Sequence, residues 1–95
     1  MNSVTLVGKV HGPAKTTTAS NGTPITFLEV ETHRRWRNND GTVGQGSEVH
    51  TCRAFGGTAK LLEKARDRSS IVVRGRLEYA KDDKATVQVM RIEFV

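Results

Sequence analysis

Period-two alternation runs through most of this chain. Val4, Leu6, Gly8 and Val10 share one phase of residues 2–10, and Thr5, Val7 and Lys9 share the other. That is the pattern of a half-buried β-strand, and Gly8 in its middle marks a bend or a close backbone approach. Residues 11–23 open with a turn at Gly12-Pro13 and end with Asn21-Gly22, the strongest short hairpin signal. Pro24–Arg37 (PITFLEVETHRRWR) is the next strand. Its inward phase changes from Ile25 and Phe27 to Leu28 and Val30, which predicts a β-bulge near Phe27–Leu28. Residues 38–47 (NNDGTVGQGS) are polar and glycine-rich and read as a long mobile loop. Glu48–Phe55 returns to strand and is closed by Gly56-Gly57.

The pattern then changes period. In residues 58–68 (TAKLLEKARDR), Leu61, Leu62 and Ala65 form one apolar stripe, Thr58 offers an N-cap, and Arg66 and Arg68 suit the negative end of a helix dipole. Ser69–Tyr79 is again a strand, with Ile71, Val73, Gly75, Leu77 and Tyr79 on one face and Val72, Arg74, Arg76 and Glu78 on the other. Lys81–Lys84 is a tight polar turn. Ala85–Val95 is the last strand, and its phase shifts from Val87 and Val89 to Met90, Ile92 and Phe94. Three strands, one short helix and two strands place the chain in the all-β class with one helix. That is the element order of the OB-fold, a five-stranded, partly open barrel that binds oligonucleotides. Its Greek-key connectivity does not follow from a strand count.

Composition adds a charge. The 95 residues suit a single domain spanning 1–95, with one modest core. Fifteen Lys plus Arg against ten Asp plus Glu give a formal charge of +5, which points toward a polyanion. The bland alternative is a lysine excess that only aids solubility. The apolar run at the N-terminus is too short for a signal peptide or a membrane span, so a cytoplasmic location is expected. One cysteine, Cys52, excludes an internal disulfide and reads as a small apolar filler. His11, His33 and His50 lack metal-ligand spacing, and no nucleophile–base pair, P-loop or acid–base pair of carboxylates is present. No metal, no cofactor and no catalysis are expected.

The chemistry that remains is aromatic and cationic. Trp36, the sole tryptophan, lies among Arg34, Arg35 and Arg37. An indole beside guanidinium groups suits stacking on a nucleobase while the cations neutralise its phosphates; as core filler it would want apolar neighbours. Arg53, Arg74, Arg76 and Arg91 are outward candidates by strand parity, and Lys9 shares the polar phase of the first strand. Solvated charge on an outward face is the ordinary alternative for each of these taken singly. Tyr79 reads as core, and Phe27 and Phe94 as core or interface.

In their order along the chain, NSVTLVGKV, SNGTPITFLEV, HRRWR, CRAFGGTAKLLEK and SSIVVRGRLE resemble the DNA-binding domain of bacterial single-stranded DNA-binding proteins. The likeness covers essentially the whole chain. It implies a Greek-key OB barrel, a homodimer or homotetramer, and single-stranded DNA wrapped over basic, aromatic-studded faces. By that resemblance Trp36 and Phe55 fall on stacking positions, and Arg68 and Lys81 fall on DNA-contacting ones. His50 falls on an interface histidine, and Val4 and Leu6 of the first strand belong to the implied oligomer contact.

The chain also departs from the pattern. Val49 stands where many members carry a second tryptophan, and no aromatic occurs at Lys81–Asp83. The acidic, apolar-tipped tail that recruits replication and repair proteins does not follow Val95, so DNA binding without that recruitment is expected. The chain is also similar to the primosomal replication protein N group, which implies an alternative: an adaptor that docks replication proteins and binds DNA secondarily. A third reading, a cold-shock-like RNA binder, lacks the dense run of exposed aromatics it requires.

Overall fold

The computed structural model describes residues 1–79 and 82–95. Its elements are β1 (Val4–Val10), β2 (Lys15–Thr18), β3 (Pro24–Arg37), β4 (Val43–Phe55), α1 (Gly56–Leu62), β5 (Ser70–Tyr79) and β6 (Ala85–Phe94). The five longer strands form a ring in the order β1-β5-β6-β4-β3, closed where β1 returns to β3 through Lys9–Glu31 and Val10–Val30. Every contact in the ring is antiparallel except β4–β6, which is parallel at Cys52–Val87 and Arg53–Gln88. This is the five-stranded barrel of the OB-fold. The short β2 lies outside the ring, added to the edge of β3 by the hairpin that turns at Asn21-Gly22. Gly22 holds φ +87 there, and Asn21 accepts the Thr23 amide on its side-chain oxygen at 3.0 Å.

Alternation sorts the core as expected for β1 and β5. Leu6, Val10, Ile71 and Val73 point inward beside Leu28, Val30, Cys52, Ala54, Val87 and Val89. Ala59, Leu62 and Ala65 plug one end of the barrel. Burying a side chain the size of Leu62 contributes about 1.5–3 kcal/mol, enough to hold a seven-residue helix that would not form alone.

Several expectations need correction. No bulge interrupts β3 at Phe27–Leu28, since its pairing with β4 runs unbroken from Ile25–Phe55 to Arg37–Val43. The inward phase is Thr26, Leu28 and Val30, with Phe27 turned outward. Thr26 is polar yet fully buried, because its hydroxyl donates to the Ala59 carbonyl of α1 at 2.9 Å. The helix covers Gly56–Leu62 rather than 58–68, so Thr58 lies inside it, Phe55 is the N-cap residue, and Arg66 and Arg68 lie beyond its end. Leu61 is exposed, and so are Tyr79 and Phe94. Tyr79 is 67% accessible despite sharing a phase with Val73, because the barrel no longer encloses the end of β5. The expected phase shift in β6 is present, but Met90 does not join the new inward phase with Ile92. Arg74 pairs with Arg91 but Gly75 pairs with Val89, leaving Met90 as the extra, exposed residue.

Residues 38–47 are the largest departure. Only 38–42 form a turn, and β4 begins at Val43. Beyond Glu31–Val49, β3 and β4 continue as a two-stranded arm outside the barrel, and the molecule is 56 Å along its longest axis against 29 and 22 Å across. Among the described residues, no helix is long and apolar enough to cross a membrane.

Closure of the ring depends on Gly8. A Cβ at this position would collide with the backbone carbonyl of Glu31, which cannot move without disturbing the β3–β4 pairing. At Gly57, by contrast, a Cβ would meet nothing within 4 Å. Gly8→Ala should therefore lower unfolding free energy by about 1–3 kcal/mol in urea titrations. Gly57→Ala, inside the helix, should leave it unchanged or raise it by up to about 1 kcal/mol.

Candidate nucleic-acid interface

The arm carries the tryptophan. Alternation along β3 puts Arg34 and Trp36 on the face that Thr26, Leu28 and Val30 use for the core, but here no barrel covers it. Trp36 pairs across the arm with Gly44, and Arg34 pairs with Gly46. The indole lies on these two glycines: a Cβ on Gly44 would run into the ring, and one on Gly46 would sit 3.5 Å from Cζ3. Glycines that read as loop punctuation are thus the seat of the ring. Its Nε1 donates to Asn38 Oδ1 at 3.0 Å, Asn38 Nδ2 donates to Thr42 Oγ1 at 2.9 Å, and Thr42 Oγ1 donates to Asp40 at 2.6 Å. The Thr42 hydroxyl and amide hold the Asp40 carboxyl below its ordinary pKa. The Arg34 guanidinium lies 5.0 Å from the ring centroid. Trp36 remains 42% accessible, oriented yet open.

Strand parity divides the arginine run. Only Arg34 shares the face of Trp36, and its Nε is engaged by Glu48 at 2.7 Å. Arg35 and Arg37 project from the opposite face with His33, and neither meets a carboxylate among the described residues. That face continues into a groove of about 610 Å³ lined by Lys9, His11, Glu31, His33, Asp67 and Arg68. Glu31 lies between His33 Nε2 at 3.2 Å and His11 Nδ1 at 3.5 Å. Arg68 holds φ +67 and donates its amide to the Val10 carbonyl at 2.8 Å, which ties the segment after α1 to the end of β1.

A second group lies on the outer wall of the barrel. Phe55, 36% accessible, ends β4 beneath the Arg53 guanidinium, 5.4 Å from its ring centroid. Phe27 neighbours Arg53 across the β3–β4 pair, Arg53 neighbours Gln88, and Gln88 neighbours Arg76. Arg74 and Arg91 pair one step further along. Glu78 sits within this basic field and binds both Arg53 and Arg76, the latter at 3.2 Å. Foremost the Arg53 hydrogen bond, and then the charges of Arg53 and Arg76, hold the Glu78 carboxyl below its ordinary pKa. Arg53 Nε is buried without a partner.

The sequence-predicted residues therefore form three clusters rather than one patch: the arm (Arg34, Arg35, Trp36, Arg37), the groove (Lys9, Arg68) and the wall (Arg53, Phe55, Arg74, Arg76). Lys81 lies outside the described residues. Val4 and Leu6 pack toward the core, so the face that β1 turns outward is Thr5, Val7 and Lys9. His50 is half-buried at the base of the arm, 2.8 Å from the Thr32 hydroxyl. Cys52 is fully buried, and burial pushes its thiol up to about 12, which removes it as a nucleophile. Strand phase already set Glu78 beside Arg76, but nothing in the sequence showed that it would also reach Arg53 from β4.

A protein-family comparison matches residues 1–95 to the single-strand binding protein family. The chain belongs to that family. A comparison with curated proteins returned no match. Among solved structures, the small single-stranded DNA-binding protein of Streptomyces coelicolor superposes with a TM-score of 0.80 at 18% identity, over 98% of this chain and 91% of that one. The Plasmodium falciparum SSB in complex with ssDNA gives 0.88 at 16% identity, over 100% and 95%. PriB from Ralstonia solanacearum gives 0.81 at 16% identity, over 99% and 97%. At these identities the likeness is one of fold.

The lowered pKa of Glu78 sets the sign of a pH dependence. A carboxyl whose pKa is lowered by folding stabilises the native state above its unfolded pKa, and that stability is lost as pH falls through the folded value. Between pH 7 and pH 3 the native protein should accordingly lose more unfolding free energy than Glu78→Gln, as read by urea titrations at both pH values. Equal losses would mean that Glu78 does not hold Arg53 and Arg76 in solution.

Proposed function

We propose that this protein binds single-stranded DNA with little regard to sequence, by stacking bases on exposed aromatics and neutralising phosphates with arginines, and that it performs no chemistry on the DNA. The observation that carries this reading is Trp36: a large ring held flat on two glycines, fixed by a hydrogen bond to Asn38, flanked by Arg34 and still open to solvent. A ring kept exposed at that expense of apolar surface suits a planar partner. Phe55 under Arg53 repeats the aromatic–guanidinium pairing on the barrel wall. Family membership and the DNA complex of the P. falciparum relative support the same assignment.

The DNA-contacting set is then Trp36 and Phe55 with Arg34, Arg35, Arg37, Arg53, Arg74 and Arg76, extended by Lys9 and Arg68 along the groove and, by the family resemblance alone, by Lys81. The role is protection of exposed strands in replication, recombination or repair, in the cytoplasm and associated with the nucleoid. The fold is equally that of PriB, so a replication-protein adaptor shares the architecture. The seated tryptophan and the carboxylate-free Arg35 and Arg37 favour DNA as the primary partner.

A homodimer is the proposed working form. From Val4 to Gly8 one edge of β1 is paired to β5, and its other edge has no strand partner among the described residues. Two copies can pair such edges about a two-fold axis, with Thr5 and Val7 in the contact and His50 joining it by the family resemblance. Light scattering should return a dimer or a multiple of it, and a monomer at all concentrations would sink the β1 pairing.

Trp36 supplies its own assay. Titration with a thymidine oligomer should quench its emission, and log affinity should fall with log salt by about 0.7 per phosphate neutralised. Trp36→Ala should weaken binding by about 1–3 kcal/mol, more than any other single stacking change. Unchanged emission together with no mobility shift at low salt would exclude the assignment.

A further inference from the structure

On the barrel wall Phe27 projects outward, 39% accessible, between two cations. Lys15 of β2 is its cross-strand neighbour on one side and Arg53 of β4 on the other. Paired residues on adjacent strands project to the same face at about 4.8 Å per strand, so Lys15, Phe27 and Arg53 form one row. The row continues through Gln88 to Arg76. Beside Phe27 a shallow groove of about 220 Å³ is lined by Pro13, Lys15, Phe27, Leu28, Glu29 and Thr51. Phe27 also stands diagonal to Phe55, which pairs with Ile25, and diagonal neighbours lie about 7–8 Å apart. The Arg53 guanidinium belongs to both aromatics: it neighbours Phe27 and covers the ring of Phe55.

We propose that Phe27 is a base-stacking platform, so that the single strand crosses the barrel wall from Phe55 over Phe27 toward β2, with Arg53 and Lys15 taking the phosphates on either side of the base. This rests on the proposed single-stranded DNA binding and adds a site to it. Chemistry favours a nucleic-acid strand here over an apolar protein surface. An aromatic between two direct cationic neighbours presents a π-face and two phosphate contacts in one line, whereas an apolar protein contact would desolvate Lys15, which meets no carboxylate among the described residues. Glu29, on the rim of the groove, repels phosphate and so turns the backbone toward Lys15 and Arg53, with the base in the groove. The row also lengthens the DNA path to β2, a strand that the arm and the groove beside β1 do not touch.

Four proteins are compared for affinity and occluded site size on thymidine oligomers: native, Phe27→Ala, Phe27→Leu and Phe27→Tyr. Native unfolding by urea is recorded for each, and the leucine variant retains the apolar contacts of the wall. A 5-iododeoxyuridine oligomer is photo-cross-linked to the native protein and the modified peptides are identified by mass spectrometry. The expected result is a loss of about 5- to 150-fold for alanine, a loss for leucine, near-native binding for tyrosine, and a cross-link at Phe27. Native-like binding and site size for both the alanine and leucine variants, with cross-links confined to Trp36 and Phe55, would overturn the Phe27 platform and leave the proposed function standing. A native protein that does not bind the oligomer at all overturns both.

Discussion

The approach of β1 to β3 at Gly8 determines where the barrel stops. Because residue 8 has no Cβ, the Glu31 carbonyl can come close enough for β1 to close the ring at Lys9–Glu31 and Val10–Val30, the last β1–β3 pairs among the described residues. Past that point β3 and β4 have only each other. The phase of β3 that delivers Thr26, Leu28 and Val30 to the core goes on to deliver Arg34 and Trp36 to solvent. One strand thus supplies both the packing that stabilises the barrel and the ring offered to a ligand.

The basic surface is less bare than a charge of +5 implies. Glu48 engages Arg34, Glu78 engages Arg53 and Arg76, and Glu31 lies between two histidines. Exposed pairs of this kind are worth about 0–1 kcal/mol each, so they orient the guanidinium groups without locking them. A phosphate arriving at Arg53 or Arg76 exchanges one anion for another, and the net gain is smaller than for an unpaired arginine. Arg35, Arg37 and Arg74 face no such exchange among the described residues, so a phosphate at any of them displaces no carboxylate. Stacking a base on Trp36 or Phe55 likewise exchanges a partner, the guanidinium of Arg34 or of Arg53 over the ring, which is then free to turn toward a phosphate.

Much of this was legible in the residues alone. The alternation of β1 and β5, the Asn21-Gly22 hairpin, the tight passage at Gly8 and the phase shift near Met90 are local and emerge as read, except that Tyr79 and Met90, both expected to face inward, are exposed. The buried, inert Cys52 also follows from its strand phase. Errors arose where a residue's role depends on what lies opposite. Gly44 and Gly46 look like loop because glycine weakens a strand, and only the pairing with Trp36 and Arg34 reveals them as the floor under an indole. Thr26 looks like a surface residue and Phe27 like core until the Ala59 carbonyl of α1 is found facing the threonine.

What the sequence by itself determined is the period: which side chains share a face, where the chain turns, and that aromatic and cationic groups are concentrated in one strand. What only the tertiary structure decided is which faces are enclosed. Alternation is a property of one strand, whereas burial requires a second surface at the right distance. Along Pro24–Arg37 that surface ends at Glu31, so identical parity means core for Val30 and an open ring for Trp36.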